Sequence, residues 1–247
     1  MKAFILAAGL GTRLKPWTLE HPKALVPVNG VPMLERVILR LKEQGFDDIT
    51  VNVHHFASQI KEFLAAHDYG VRIRISDESD LLLDTGGGLL HAAEMLFETP
   101  EPVLIHNVDI LSDADLRALM QAHESTDRAA TLLTSLRESS RKLVADAHGN
   151  LAGWHNLNSG EYRPAGFLPV EDMTEQAFSG IHVVGPQTVE RMRRDGWKEV
   201  FPIMDFYLSE CRSLPIGCHI SKTLHIIDIG KPDSLARADG FLRSMNQ

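Results

Sequence analysis

A small-residue segment near the start of the sequence has the composition of a loop that binds phosphate. Residues 7–13 read Ala-Ala-Gly-Leu-Gly-Thr-Arg, directly after a short apolar run, and Lys23 lies ten residues beyond Arg13. Small residues allow backbone N–H groups to approach an anion closely, and such loops form concave sites for phosphate oxygens. The residues that we expect to contact a bound nucleotide here are Ala7, Ala8, Gly9, Gly11 and Thr12.

The spacing within this loop disfavours two common nucleotide sites. A dinucleotide fingerprint needs a third glycine, but the next position is occupied by Leu14. A Walker A loop needs a lysine and a hydroxyl directly after its last glycine, and that spacing is absent from the sequence. Hydride transfer and ordinary ATPase chemistry are therefore disfavoured.

Two aspartates each follow an apolar run that reads as a strand. Asp109 comes after residues 103–106, and Asp228 comes after residues 224–227. Both would stand at strand ends, where open α/β sheets bind ligands. Because Mg²⁺ in phosphoryl-transfer sites is held by one or two carboxylates plus substrate phosphates, Asp109 and Asp228 are the predicted metal ligands. Asp113 and Asp233 suit helix capping better, since each lies where a helix should start.

The histidines do not indicate a zinc site. His106, His182 and His225 lie on separate predicted strands and lack the spacing of metal ligands. We therefore expect structural histidines whose ring nitrogens are satisfied.

The elements that must position these residues alternate between strands and helices. Strands are predicted at 2–7, 49–53, 71–75 and 103–106, with helices at 32–44, near 58–66 and after Gly88. This alternation predicts an α/β fold with a Rossmann-like mixed, mostly parallel sheet flanked by helices.

The rhythm changes from about residue 128. The runs 143–147 and 151–155 flank a His-Gly-Asn turn and predict a hairpin, with a further strand at 178–184. The polar stretch 156–172 reads either as a long loop over a cleft or as a disordered insertion. A closing helix should begin at Pro232.

Composition and charge exclude several classes of partner. The 247 residues are 44% hydrophobic, enough for a sizeable core in one continuous domain. The net charge of -8 provides no basic field for following a nucleic-acid backbone. No apolar stretch reaches the roughly 20 residues of a membrane span, and the start of the chain is unlike a signal peptide. We therefore expect a cytoplasmic protein that binds neither nucleic acid nor membranes.

Extended beyond residue 13, the first segment resembles the signature of the sugar-phosphate nucleotidyltransferase family. The family pattern is GxGxR, then P, LT and PK(P/A)L, and this sequence continues with LKPWT at 14–18 and PKALVPV at 22–28. The resemblance covers nearly the whole chain, strongly through residue 28 and more loosely after residue 109. It implies the nucleotide-diphospho-sugar transferase fold in a single domain, 1–247, with a nucleotide-binding half of about 1–127 and a sugar-binding half of about 128–247.

The resemblance also implies roles for the charged residues. Arg13 would contact the β and γ phosphates, because a guanidinium grips phosphate as a fork. Lys23 would place a compact positive charge at the reacting α-phosphate. Together with the two metal-binding aspartates, the implied catalytic residues are Arg13, Lys23, Asp109 and Asp228.

A second glycine cluster, DTGGG at 84–88, precedes the predicted third helix. The family has a base-contacting glycine here, so the resemblance implies Gly87 and Gly88 as nucleotide contacts. The cluster is most similar to the ETGGG of family members that act on N-acetylmuramate, heptose or mannose 1-phosphate. Glu78 stands where relatives carry Glu or Gln near the base, and its carboxylate could accept from uracil or from guanine, which leaves the nucleotide open. A flexible hinge without a ligand is the alternative for the glycines.

The acceptor side departs from the family pattern. The family motifs N-G-D and W-x-D-x-G appear here as NVD at 107–109 and IIDIG at 226–230, and FSGI at 178–181 resembles the segment that passes close to the sugar. The resemblance implies sugar contacts from Asn107, Glu175 and Gly180. Relatives for glucose 1-phosphate carry an E-K-P lysine on the sugar phosphate. This sequence has no evident equivalent, and Arg141 and Lys142 are candidate substitutes.

The predicted activity is transfer of a nucleotidyl group from a nucleoside triphosphate to a sugar 1-phosphate, with Mg²⁺ as cofactor. One alternative is transfer to a non-sugar phosphate such as phosphocholine. Another is a non-catalytic module that binds a nucleotide sugar, which the altered NVD segment makes conceivable. We expect a monomer or small homo-oligomer, and the sequence leaves both the sugar and the base open.

Overall fold

The computed structural model describes residues 1–230 and 232–245. In chain order, its strands are β1 (Lys2–Leu6), β2 (Pro27–Val28), β3 (Val31–Pro32), β4 (Asp48–Val53), β5 (Arg72–Asp77), β6 (Val103–Asn107), β7 (Ile110–Ser112), β8 (Ala130–Ser135), β9 (Arg141–Ala145), β10 (Leu151–Asn156), β11 (Glu161–Arg163), β12 (Thr174–Val184), β13 (Ile216–Ile220) and β14 (Ile226–Asp228). Its helices are α1 (Met33–Glu43), α2 (Ala57–Ala65), α3 (Asp84–His91), α4 (Ala93–Leu96), α5 (Leu116–Glu124), α6 (Pro186–Arg194), α7 (Ile203–Glu210) and α8 (Pro232–Met245).

Ten of the strands form one mixed sheet, to which the first half of the chain contributes a parallel part. The order along its main path is β11-β10-β9-β12-β6-β1-β4-β5, and β1 pairs in parallel with both β4 and β6. β12 joins β6 antiparallel and also pairs with β8, beside which β13 runs in parallel. The carboxyl ends of β1, β4 and β6 therefore lie next to one another, where ligands bind in open α/β sheets.

Hydrophobic side chains cover both faces of this sheet. Successive residues of a strand point to opposite faces, so Ile5 packs in one core with α1 and Phe4 packs in a second core with α7. The i, i+3, i+4 and i+7 positions that predict α1 are all buried. The predicted fold class, a mixed and mostly parallel sheet flanked by helices, is confirmed. Within the described residues, no helix combines the length and the apolarity that a bilayer span requires.

Helix α3 corrects the prediction of an open glycine loop. The helix begins at Asp84, earlier than predicted, so the three glycines lie within its first turns. A β-carbon on Gly86 would lie 2.3 Å from the Phe201 ring, and one on Gly87 would lie 1.8 Å from the carbonyl oxygen of Glu199. The absence of side chains therefore allows α3 to pack directly against the segment that precedes α7.

The segment 156–172 also contains more structure than the sequence predicts. Strand β11 lies within it and pairs antiparallel with β10, with Trp154 opposite Arg163. The guanidinium of Arg163 also donates to the carboxylate of Asp205 on α7 at 2.8 Å. The segment is therefore anchored to the sheet and to a helix.

Asp113 does not cap a helix as predicted. Its carboxylate accepts hydrogen bonds from the backbone N–H and the ring of His225, at 2.8 and 2.6 Å. The N-cap of α5 is Asp115, whose carboxylate accepts the Ala118 N–H at 2.9 Å. The side chain of Asp233 lies outside the described residues.

The side chain of His182, a residue of β12, lies in the core against α7. Its ring centroid is 5.6 Å from that of Phe178 and 5.7 Å from that of Tyr207. Among the described residues, neither of its ring nitrogens has a hydrogen-bond partner, which contradicts the expectation of a satisfied histidine. Burial lowers the pKa of His182 to about 3, so the ring is neutral in the folded protein at neutral pH.

We predict that replacing His182 by Phe makes the protein less sensitive to acid. Below the ordinary pKa of 6.5, the unfolded chain binds a proton at this position but the folded chain does not until about pH 3, so stability falls as the pH falls. Between pH 7.5 and pH 5, the parent should lose about 2 kcal/mol of unfolding free energy more than His182→Phe does. Urea unfolding at both pH values measures this difference.

The exposed His67 offers a matched control. His67→Gln should keep the acid sensitivity of the parent, because this substitution leaves the buried His182 in place. An equal loss of stability in the parent and in His182→Phe would contradict the prediction.

Candidate active site

A cleft of about 410 Å³ opens at the carboxyl ends of β1, β4 and β6. The sequence-predicted residues that line it are Ala8, Gly9, Gly11, Thr12, Lys23, Asn107 and Asp109. The cleft is also lined by Asn52, Asp84 and Thr85, which sequence reasoning did not select as site residues. The structure thus brings the N-terminal loop together with Asp109 and with the start of α3.

The side chain of Asn52 holds the small-residue loop in place. This residue is 2% exposed at the end of β4, and its Oδ1 accepts the backbone N–H groups of Ala7 at 2.6 Å and Ala8 at 3.2 Å. Its Nδ2 donates to Oε1 of Glu78 at 2.8 Å. A single amide therefore links the loop after β1 to the segment after β5, and a polar residue at a strand end is the signal that could have identified it.

Glu78 lies beneath the cleft rather than on its wall. The residue is 3% exposed, and its second carboxylate oxygen accepts the Leu83 N–H at 3.4 Å. A β-carbon on Gly88 would lie 2.7 Å from Glu78 Oε1, so this glycine leaves room for the carboxylate. Burial raises the pKa of Glu78, and the hydrogen bond from Asn52 opposes that shift. The carboxylate supports Asn52, and base contact by Glu78 stays a prediction.

Gly11 allows Lys23 to lie close to the loop. A β-carbon at this position would lie 2.8 Å from the Lys23 β-carbon and 2.9 Å from a Thr18 methyl, and its φ of +61° also favours glycine. Lys23 then forms an ion pair with Asp109 in which both side chains are mostly buried. The predicted phosphate-binding cation and the predicted metal ligand are therefore direct neighbours.

Asp228 approaches Asp109 through the ribbon formed by β7 and β14. Asp228 lies opposite Ile110, and the Ile229 N–H donates to the Asp109 carbonyl oxygen at 2.8 Å. A β-carbon on Gly230 would lie 2.7 Å from the Arg13 guanidinium and 2.7 Å from an Asp228 carboxylate oxygen. The structure thus places Asp228 near the backbone of Asp109 and against Gly230, beside which Arg13 also lies, just outside the lining of the cleft.

This pair of carboxylates fits a hard divalent cation that takes its other ligands from substrate. Within the described residues, no group of three or more His, Cys, Asp or Glu could hold a metal ion. Two carboxylates that approach across one short ribbon match the way Mg²⁺ is bound through one or two acids plus phosphate oxygens.

Two of the predicted sugar contacts meet at the end of β6. Gly180 on β12 has a φ of +78°, and a β-carbon there would lie 2.9 Å from the Asn107 side-chain nitrogen. Glu175 lies further from this point, at the start of β12, where it accepts from His155 at 2.6 Å. The His155 ring stacks on Tyr162, with centroids 4.0 Å apart. Asn107 and Gly180 therefore lie together at the end of β6. Glu175 lies apart from them, next to the stacked rings of His155 and Tyr162.

Lys142 cannot serve as a free substitute for the missing lysine. It is 9% exposed, and its ammonium donates to the carbonyl oxygen of Arg137 at 2.7 Å. Arg141, the other candidate, is exposed on β9. Arg137 follows β8, donates to the Phe178 carbonyl oxygen at 2.8 Å, and was not selected from the sequence. Partial burial lowers the pKa of Arg137, and the negative charge of Asp228 opposes that shift.

We predict that Asn52→Leu destabilises the protein and weakens nucleotide binding. The substitution leaves two loop N–H groups and the buried Glu78 without their partner, and each unsatisfied group costs about 1–3 kcal/mol. The free energy of unfolding should fall by at least about 3 kcal/mol, as urea titration would measure. Nucleotide affinity, measured by calorimetry under conditions in which the variant is folded, should fall as well.

Glu78→Gln tests whether the buried carboxylate acts on the loop or on the base. The single oxygen of a glutamine still accepts from Asn52, and only the long 3.4 Å bond from the Leu83 N–H is lost, so stability and nucleotide affinity should stay close to those of the parent. A large loss of affinity at unchanged stability would instead support direct base recognition by Glu78.

Known proteins with related sequences act on sugar phosphates. The chain is 32% identical over 191 residues to the N-acetylmuramate alpha-1-phosphate uridylyltransferase of Caulobacter vibrioides, and the alignment covers 75% of each chain. It is 30% identical over 210 residues to the mannose-1-phosphate guanyltransferase of Hypocrea jecorina. That alignment covers 83% of this chain and 56% of the relative, so the chain spans little more than half of the relative's length.

Solved structures share the fold at low sequence identity. HddC from Yersinia pseudotuberculosis, complexed with GMP-PN, aligns with a TM-score of 0.75 at 21% identity over 98% of this chain and 99% of that one. The inositol-1-phosphate CTP transferase from T. maritima aligns with a TM-score of 0.78 at 15% identity over 100% and 96%. Residues 3–162, well over half of the chain, match the family model of the MobA-like NTP transferase domain. The chain therefore belongs to the family of MobA-like NTP transferases.

Proposed function

We propose that this chain transfers a nucleotidyl group from a nucleoside triphosphate to a sugar 1-phosphate and releases pyrophosphate. The observation that carries the proposal is the Lys23–Asp109 ion pair inside the cleft that the small-residue loop lines. A cation suited to phosphate and a carboxylate suited to a hard metal ion lie side by side there. The relatives named above support the same chemistry.

The reaction requires charge and alignment rather than a protein base. A phosphomonoester has a second pKa of about 6, so a sugar 1-phosphate is mostly a dianion at neutral pH. One of its oxygens bonds to the α-phosphorus while the bond from that phosphorus to the bridging oxygen of the β-phosphate breaks. The electron pair of that bond leaves with pyrophosphate, and no proton has to be removed. Catalysis then consists of positioning and charge neutralisation.

Lys23 and Arg13 divide the neutralisation between them. Lys23 lies at the floor of the cleft, where its ammonium can turn from Asp109 towards the α-phosphate as negative charge develops there. Arg13 is exposed at the rim, next to Gly230, and its planar fork suits the β and γ phosphates. Lys23 would therefore act inside the cleft, where it is mostly buried, and Arg13 would act from the solvent-exposed side.

Asp109 and Asp228 are the residues that would hold Mg²⁺. The ion would neutralise phosphate charge and orient the triphosphate. The chain would present Asp228 from β14 and Asp109 from the position just before β7, and the Ile229–Asp109 backbone hydrogen bond holds these two segments together.

The relatives suggest which substrates to try first. We propose UTP or GTP as the nucleotide donor, and N-acetylmuramate or mannose 1-phosphate as the acceptor, since these are the specificities in the relatives' names. A cytoplasmic location and a monomer or small homo-oligomer stay predictions from the sequence.

A substrate panel tests the proposed function. UTP, GTP, CTP and dTTP are each combined with the 1-phosphates of N-acetylmuramate, mannose and glucose in Mg²⁺, and pyrophosphate release is followed by a coupled assay. We expect release with at least one pair and loss of that release in excess EDTA. Turnover should also fall sharply in Asp109→Asn and Asp228→Asn, because an amide is a poor ligand for Mg²⁺ compared with a carboxylate.

Two outcomes of the panel would contradict the proposal. Release with phosphocholine but with no sugar 1-phosphate would make the chain a transferase for another acceptor. Tight nucleotide-sugar binding without release from any pair would make it a binding module.

We predict that Lys23→Ala lowers turnover much more than it lowers nucleotide affinity. The variant lacks the charge that acts at the α-phosphate, whereas the loop and Arg13 still bind the triphosphate. By analogy with loss of one preorganised transition-state donor, kcat should fall on the order of 100-fold or more. Steady-state kinetics gives kcat, and calorimetry gives the nucleotide dissociation constant.

The exposed Lys15 in the same segment is a matched control. Lys15→Ala should turn over at close to the rate of the parent. If Lys23→Ala binds nucleotide poorly but turns over normally at saturation, Lys23 contributes only ground-state binding.

A further inference from the structure

Arg137 is a cation that two backbone contacts hold beside the predicted acceptor site. Its Nη2 donates to the Phe178 carbonyl oxygen at 2.8 Å and its Nη1 donates to the Glu138 carbonyl oxygen at 3.3 Å. Phe178 lies two residues before Gly180, which packs against the Asn107 amide at the end of β6. The guanidinium therefore lies near the point where β12 meets the cleft.

The charge of Arg137 is not neutralised by a direct partner. In the part of the chain that the structure describes, no carboxylate oxygen lies within 4.0 Å of the guanidinium nitrogens, the limit for an ion pair. The guanidinium donates instead to two neutral backbone carbonyls. The negative charge of Asp228 interacts with the guanidinium electrostatically, without forming an ion pair. An arginine has five N–H donors, so several stay available for a ligand.

Lys142 strengthens the positive character of this position. Its nearly buried ammonium donates to the carbonyl oxygen of Arg137 at 2.7 Å and thereby fixes the backbone from which the guanidinium extends. Two cations, Arg137 and Lys142, thus belong to one short segment, and their charges favour an anion beside it.

We propose that Arg137 binds the phosphate group of the acceptor sugar 1-phosphate and so takes the place of the lysine that the sequence lacks. Its planar donors suit a phosphate dianion. Asp228, which lies against Gly230 as Arg13 does and interacts electrostatically with Arg137, would then be close to both substrates. The proposal rests on the proposed function.

Kinetics of Arg137→Gln tests this role. With the nucleotide and sugar 1-phosphate that give the highest turnover in the panel, the KM for the sugar 1-phosphate should rise about 10-fold to 100-fold. The KM for the nucleoside triphosphate should change less than about 3-fold, since Arg13 and the loop are intact. Arg137→Lys should recover part of the loss, because it restores the charge without the fork.

Arg141→Gln is the matched control, since Arg141 is exposed four residues further along the chain and was the alternative suggested by the sequence. It should keep both KM values of the parent. Equal rises of both KM values in Arg137→Gln, no rise at all, or the same rise in Arg141→Gln would overturn the proposal. A purely structural role for the Phe178 contact would lower the unfolding free energy and affect both substrates, and Arg137→Lys would not recover the acceptor KM.

A binding measurement separates this proposal from the proposed function. If no pair in the panel releases pyrophosphate, the proposed function fails, and calorimetry with mannose 1-phosphate still reports on Arg137. Weaker binding of mannose 1-phosphate to Arg137→Gln than to the parent and to Arg141→Gln supports the anion site. Equal binding to all three proteins, or binding to none of them, overturns it.

Discussion

The arrangement of the site depends on the side chain of Asn52, which joins three strand ends. Its oxygen accepts two N–H groups of the loop after β1, and its nitrogen donates to the carboxylate that follows β5. Parallel strands bring these ends together, but neighbouring backbones cannot hydrogen-bond beyond the point where the ladder stops. A buried amide, which has both an acceptor and donors, satisfies the groups left over. The shape of the loop is thus determined by the sheet and not by the glycines alone.

Charges around the cleft are arranged so that cations and carboxylates face each other. Lys23 pairs with Asp109, and Asp228 lies against Gly230 as Arg13 does and interacts electrostatically with Arg137. In a chain of net charge -8, positive charge that binds phosphate has to be local. The carboxylate of Asp109 next to Lys23 lowers the cost of holding that ammonium in a partly closed cleft. Incoming phosphates and a metal ion can then exchange partners with these groups rather than create new buried charge.

Short-range sequence patterns predicted most of the strands and helices in the first half of the chain, which forms the parallel part of the sheet. They predicted fewer of those in the second half. The apolar period of α1 and the apolar run of β1 are local signals, and both elements lie within one or two residues of the predicted bounds. The sequence predicts Gly86 and Gly87 in a loop before the helix. Packing against residues 199–201 instead makes them part of α3, because tertiary contacts override helix propensity. No local signal could place that contact, since more than a hundred residues separate its two sides.

The predicted site residues show the same difference between local signals and contacts of distant segments. Ala8, Gly9, Gly11 and Lys23 were identified because one continuous segment carries them, and all four line the cleft. The role proposed for Arg137 has no local signal in the sequence, because its position depends on the pairing of β8 with β12.

Strand β12 explains why the acceptor side is harder to infer than the nucleotide side. It pairs with β9 at its start and with β8 and β6 further on, and its register with β8 is interrupted between Phe178 and His182. Gly180 lies inside that interruption with a positive φ, which lets the strand approach Asn107 closely. On the nucleotide side the loop backbone itself is held by Asn52. We expect the acceptor side to be built instead from side chains on several antiparallel strands, such as His155, whose identity can change without disturbing the parallel sheet. A nucleotide site of nearly constant geometry can therefore be combined with different acceptor sites, and only contacts read from the folded chain distinguish one acceptor site from another.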